Sequence, residues 1–187
     1  MNGPSAWSAS LRERAQHIRL VVMDVDGVLT DGGIYYLDCE GTEAKRFHAR
    51  DGLGIRLLLE SGLFVGWITA RRSELVRKRA AELGISFLHQ GATDKWSCLQ
   101  DRLREMGLDA ARCAYMGDDL VDLAVMHQVG LAAAPGDAHP EAIRAAHWVA
   151  GVGGGRGAVR ELIDGILQVQ GHWPAIMARM AGTRTEQ

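Results

Sequence analysis

Short apolar runs alternate with amphipathic stretches along most of the chain. Leu20-Val21-Val22-Met23 is apolar at every position and is followed by polar turn residues, the pattern of a strand buried on both faces. Runs at Leu63 to Ile68, Ile85 to Leu88, Arg112 to Met116, Val129 to Ala133 and His147 to Val149 read the same way. Between them, apolar residues recur at helical spacing. Leu53, Ile55, Leu58 and Leu59 predict a helix opened by Asp51-Gly52, and Ser73 is a fitting N-cap for a helix to about Leu83. Trp96, Leu99, Leu103 and Met106 form a further helical stripe. Leu120 to about His127, Pro140 to Ala146 and Ala158 to about Val169 predict three more helices, and Leu11, Ala15 and Ile18 a short one ahead of the first strand.

One segment departs from this alternation. Ile34 to Leu37 and Thr42 to Phe47 flank Asp38-Cys39-Glu40-Gly41, which predicts a β-hairpin. Residues 1–10 read as a loose polar start, and the mixed, basic stretch from Gly171 predicts a flexible tail over 172–187. Strands alternating with helices imply βαβ units with right-handed crossovers. The expected fold is therefore α/β: a Rossmann-like parallel sheet with helices on both faces, one domain over 1–187 with its core at about 18–171, and the hairpin inserted after the first strand.

Composition narrows the function classes. A 187-residue chain that is 47% hydrophobic has enough apolar residues for one full core. Its 21 Lys and Arg against 23 Asp and Glu leave a formal charge of −2, so no global field draws nucleic acid or anionic membrane. No apolar segment approaches the roughly 20 residues of a membrane span. Residues 1–19 lack a charged start followed by an apolar core, so no secretory signal is expected. Cys39, Cys98 and Cys113 are odd in number and widely spaced, fitting neither a disulfide framework nor a zinc pattern. They read as free, partly buried thiols in a reducing cytoplasm.

The chemistry lies where the strands end. The first strand stops in Asp24 and Asp26 with Gly27 behind them; a later one stops in Thr69; another stops in Gly117-Asp118-Asp119, with Asp122 one turn on. Lys95 opens a helix between them. In a parallel sheet these ends share one edge, where ligands of open α/β sheets bind. Carboxylates gathered there repel one another unless a cation neutralises them, and Mg²⁺ suits an all-oxygen set. Lys95 and Thr69 then supply charge and a hydrogen bond for a phosphate. Asp24 has the chemistry of a nucleophile at phosphorus, and Asp26 that of a general acid and base.

Asp24-Val25-Asp26-Gly27, Thr69, Lys95 and Gly117-Asp118-Asp119-Leu120-Val121-Asp122 together resemble the four motifs of the haloacid dehalogenase superfamily. Arg50-Asp51-Gly52 and Gly157-Ala158-Val159-Arg160-Glu161 narrow the resemblance to its 3-deoxy-D-manno-octulosonate 8-phosphate phosphatases, over about residues 18–171. The resemblance implies a Mg²⁺-dependent phosphomonoesterase of lipopolysaccharide sugar synthesis that works through an aspartyl phosphate. It casts Asp24 as nucleophile, Asp26 as general acid/base, and Asp24, the main-chain oxygen of Asp26 and Asp118 as metal ligands. It makes Lys95 and Thr69 phosphate binders, with Asp119 and Asp122 orienting Lys95 and metal-bound waters. It assigns substrate contacts to Asp26, Lys95, the segment His48, Ala49, Arg50, Asp51 and Gly52, and arginines Arg56, Arg71 and Arg79. Ala70 and Trp96 depart from the family pattern beside these groups. No segment is long enough to build a cap domain, and the family closes its sites by forming homotetramers. A related nine-carbon sugar acid 9-phosphate as substrate, and a non-catalytic assembly domain of the same fold, are the alternatives.

Overall fold

The structure is a computed structural model and describes residues 7–39 and 41–182. Six parallel strands form the central sheet: β1 (Leu20–Met23), β4 (Phe64–Thr69), β5 (Phe87–Gln90), β6 (Cys113–Met116), β7 (Leu131–Ala134) and β8 (Trp148–Val149). Their order is β5-β4-β1-β6-β7-β8. The chain moves outward from β1 to β5 on one side, then returns to build the other side from β6. The reversal opens a crevice at the carboxyl ends of β1 and β6, the ligand position of such sheets. Met23 is in register with both Trp67 and Met116, so the next residues of all three strands lie side by side.

Side chains alternate across the sheet, and each face has its own core. Val21, Met23, Val65, Trp67, Ala114 and Met116 pack against α1 (Ala9–Gln16), α2 (Ala49–Glu60), α3 (Glu74–Leu83) and α7 (Ala158–Val169). Leu20, Val22, Ile68, Cys113, Tyr115 and Ala132 pack against α4 (Lys95–Met106), α5 (Leu123–Met126) and α6 (Pro140–Ala145). The expected α/β fold is therefore the observed one. The hairpin is present too: β2 (Tyr35–Tyr36) pairs antiparallel with β3 (Glu43–Ala44). Glu40 of its turn, the first six residues of the polar start and residues 183–187 of the tail lie outside the described residues.

Several local expectations are corrected. Helix α2 starts at Ala49 behind His48, not at Asp51, because the Asp51 carboxylate leaves its own helix to accept the N–H of Arg160 at 2.8 Å. Ile85 is not yet strand: Gly84 ends α3 with φ 69°, and the Ile85 N–H closes onto Ala80 O, as in helix ends sealed by a left-handed glycine. The helix expected over 120–127 divides into a tight 3₁₀ turn at Leu120–Asp122 and then α5. Within the supposed tail, Trp173–Met180 form α8, anchored by buried Ile176 and by the Arg179–Glu60 ion pair. The three cysteines are free, but only Cys98 is half-buried; Cys113 is fully buried in β6 and Cys39 is exposed on the hairpin.

Candidate active site

Asp24 follows β1 directly, and its N–H bonds Met116 O, which ties it to β6. Lys95 is the first residue of α4, whose N-cap Asp94 accepts the N–H of Ser97 at 3.1 Å. The buried Lys95 ammonium lies 3.0 Å from Asp24 Oδ2 and 2.7 Å from Asp122 Oδ1. Asp122 is fully buried and saturated. Oδ1 also accepts the Tyr115 hydroxyl at 2.6 Å, while Oδ2 accepts the N–H groups of Asp118 and Asp119 at 3.0 and 3.2 Å. These bonds draw residues 120–122 into the 3₁₀ turn. Asp119 does not reach Lys95, contrary to expectation; its carboxylate accepts the N–H of Leu120 and caps that turn.

Asp24 Oδ1 and Asp118 Oδ1 are buried and have no hydrogen-bond partner. Burial raises Asp24 to about 6; the nearby Asp122 adds to the rise and Lys95 opposes it. Burial likewise raises Asp118 to about 7, helped by the charges of Asp24 and Asp122. Burial would depress Lys95, but Asp24 and Asp122 outweigh it and hold its ammonium above the ordinary lysine value. Carboxylate oxygens of Asp24, Asp118 and Asp122 lie within 4.8 Å of one another. Since Asp122 already holds four donors, the two unpartnered oxygens are the ones left to coordinate a cation. An all-carboxylate donor set fits a hard divalent ion. The backbone makes room for this arrangement: Gly27 has φ 92°, and a Cβ there would collide with the Asp118 carboxylate.

Asp26 lies between the hairpin and the loop after β4. Its Oδ1 bonds the Lys45 ammonium, and its Oδ2 is 3.9 Å from Arg71 Nε. Thr69 ends β4 and is buried, with its hydroxyl accepting the N–H of Arg71 at 3.3 Å. Arg71 also lies 3.9 Å from Glu43, which accepts the Ser73 hydroxyl. A cleft of about 690 Å³ lies on the Lys95 side, lined by Ala70, Ala92, Thr93, Asp94, Lys95, Val121 and Ala124; Asp24, Asp26, Thr69 and Arg71 are not among its lining residues. That volume is within the range of small-molecule sites.

The remaining candidates stand apart from this group. None of His48, Arg50, Arg56 and Arg79 bonds Asp24, Asp26 or Lys95 among the described residues. His48 caps α2 with its Nδ1 buried and unpartnered; Ala49, Arg50 and Arg56 are exposed on that helix; Arg79 pairs with Glu82 and lies against Gly52. Asp51 serves the α2–α7 contact. Three partners of the site escaped the sequence reading: Lys45, Glu43 and Tyr115. Glu43 opens β3, and Lys45 follows directly after its end at Ala44. Two opposite charges this close together, beside the apolar arm at Ile34 to Leu37, were the available signal.

Comparison with known proteins agrees with this geometry. Residues 61–161 match the haloacid dehalogenase-like hydrolase family. A 3-deoxy-D-manno-octulosonate 8-phosphate phosphatase, KdsC, of Escherichia coli is 46% identical over 164 residues, covering 88% of this chain and 87% of the relative. The crystal structure of the Yersinia pestis phosphatase superposes with a TM-score of 0.88 at 45% identity, covering 90% of each chain. The Moraxella catarrhalis enzyme, solved in complex with magnesium ion, phosphate ion and a KDO molecule, gives a TM-score of 0.90 at 38% identity, covering 93% of this chain and 99% of its own. With its sheet order, its strand-end carboxylates and these relatives in agreement, the chain belongs to the haloacid dehalogenase-like hydrolases, among their 3-deoxy-D-manno-octulosonate 8-phosphate phosphatases.

Proposed function

We propose that this protein hydrolyses 3-deoxy-D-manno-octulosonate 8-phosphate to the free sugar acid and phosphate, with Mg²⁺ bound, in the bacterial cytoplasm. The observation that carries this reading is the convergence of Asp24, Lys95 and Asp118 in the crevice between β1 and β6. Asp24 and Asp118 hold the cation through their unpartnered oxygens, with the main-chain oxygen of Asp26 as a third ligand; the cation supplies charge neutralisation for the phosphate. Asp24 attacks phosphorus and becomes an aspartyl phosphate while the ester oxygen departs. Asp26 gives that oxygen its proton, then takes one from the water that cleaves the acyl phosphate. Lys95 and Thr69 hold the phosphoryl oxygens. The sugar acid is assigned to Arg71, to the segment from His48 to Gly52, and to Arg56 and Arg79. Asp119 supports the turn that places Asp118.

The family's homotetramer fits the first arm of the hairpin, where Ile34, Tyr35, Tyr36 and Leu37 are all exposed. No helix among the described residues is long and apolar enough to cross a membrane. Phosphate release from 3-deoxy-D-manno-octulosonate 8-phosphate, with and without chelator, tests the reading; nine-carbon sugar acid 9-phosphates are assayed alongside. Turnover that prefers the eight-carbon substrate and stops on chelation is expected. Undiminished turnover after chelation, or no release from that substrate, overturns it.

A further inference from the structure

Lys45 stands at the end of the hairpin, 19 residues from Asp26 and outside every motif of the site. Its side chain is nonetheless only 3% exposed, and its ammonium ends on Asp26 Oδ1. A buried ammonium is costly unless it is paired, so this side chain depends on the Asp26 carboxylate for its place. The pairing divides that carboxylate. Oδ1 is held, whereas Oδ2 is buried without a partner. Arg71 Nε is likewise buried and unpartnered, 3.9 Å from Oδ2. That gap is too long for a hydrogen bond, yet one oxygen atom set beside it would reach both. Glu43, two residues before Lys45, braces the rest of the Arg71 guanidinium and is itself held by Ser73.

We propose that Lys45 is a positioning residue for proton transfer: it fixes Asp26 Oδ1 so that Oδ2 faces the leaving oxygen, to which Arg71 Nε–H donates. The proposal rests on the phosphomonoesterase reading above. In the step concerned, Asp24 forms a bond to phosphorus as the bond from phosphorus to the ester oxygen breaks. The ester oxygen leaves with that electron pair and takes the proton from Asp26 Oδ2, becoming a hydroxyl group. Lys45 neither gains nor loses a proton. A lysine that only fastened the hairpin would serve all substrates alike. One that aims Asp26 matters in proportion to how much the leaving oxygen needs a proton.

The test compares kcat/KM, which reports events through cleavage of the ester bond, for phenyl phosphate and para-nitrophenyl phosphate. The two are alike in shape, but the nitrophenolate leaves readily without protonation. Lys45→Met is expected to lose about 100-fold on phenyl phosphate, the lower end of a general acid's contribution, and less than about tenfold on para-nitrophenyl phosphate. Lys45→Arg should regain at least about tenfold on phenyl phosphate, because it restores a cationic donor. Equal losses on the two esters, or Lys45→Arg no better than Lys45→Met, overturn the proposal. Should Lys45→Met fail to fold, Lys45→Arg and Lys45→Gln carry the same two-ester comparison. Wild-type protein that releases no phosphate from either ester or from 3-deoxy-D-manno-octulosonate 8-phosphate overturns the phosphatase reading and the proposal together; an active wild type with equal losses overturns the proposal alone.

Discussion

Asp122 shows how much of the site one side chain can hold in place. Its two oxygens receive the Lys95 ammonium, the Tyr115 hydroxyl and two backbone N–H groups. Asn in its place would turn an NH₂ group toward one of these pairs of donors and leave Lys95 with a single carboxylate. Asp122→Asn is expected to lower stability by roughly 3 kcal/mol, the scale of breaking a buried pair. Tyr115→Phe, which removes one bond, should cost only about 1 kcal/mol; chemical denaturation of the two variants checks the difference. The raised carboxyls lead to a second expectation. The folded values of Asp24 and Asp118, about 6 and about 7, exceed the ordinary 3.8, so the metal-free protein binds more protons than the unfolded chain between these limits. The associated stability is full below about 3.8 and is lost as pH rises through about 6 and about 7. Mg²⁺ competes with those protons, so it should raise Tm more at pH 8 than at pH 6, as read by thermal unfolding. An equal rise at both would mean that other oxygens bind the ion. Asp24, Lys95, Asp118 and Asp122 were legible in the sequence because each marks a strand end or helix start. Lys45 was not: nothing in a hairpin's own sequence says which carboxylate its lysine will meet.

At the scale of elements, periodicity located helices such as α2, α4 and α7, and the Ser73 cap located α3. Helix α7 agrees residue for residue with its predicted span, since buried residues such as Val159, Leu162, Ile163 and Ile166 recur at three and four. Helix α8 was missed because one buried residue makes no stripe: Ile176 alone is buried, while Met177 and Met180 face outward. The weight that Ile176 carries beside half-buried Trp173 and the Arg179–Glu60 pair is testable. Ile176→Ala should cost about 2 kcal/mol, the low end for emptying a buried aliphatic site. Amide exchange should accelerate over 173–180 but not in β1, and uniform acceleration would show α8 to be joined to the global core. Boundaries slipped where local signals misled: Asp51 lies within α2 and accepts the Arg160 N–H on α7, and the left-handed Gly84 delays the start of β5. The stretch from Gly151 to Gly157 ahead of α7 is rich in glycine. A Cβ at Gly154 would collide with the backbone oxygen of Gly27, so this run is shaped by contact with the loop that follows Asp24 and Asp26.

For the whole molecule, a parallel sheet covered by helices followed from the alternation of strands and helices, whereas the strand order and the assembly did not, because neither leaves a period in one chain. Light scattering is expected to give four times the 20.3 kDa of one chain, and a mass of 20.3 kDa at micromolar concentration would contradict it. The hairpin gives that expectation a sharper edge. One ribbon carries an apolar arm, exposed by 47% at Tyr35 and 68% at Leu37, and a lysine paired with Asp26. If the arm needs neighbouring copies to be held, the Lys45–Asp26 pair needs them as well. Specific activity should then depend on enzyme concentration: it should fall with a lag when a stock is diluted to nanomolar levels and return on reconcentration. A chain of this design would be nearly silent while newly made and scarce, and would switch on with its own abundance.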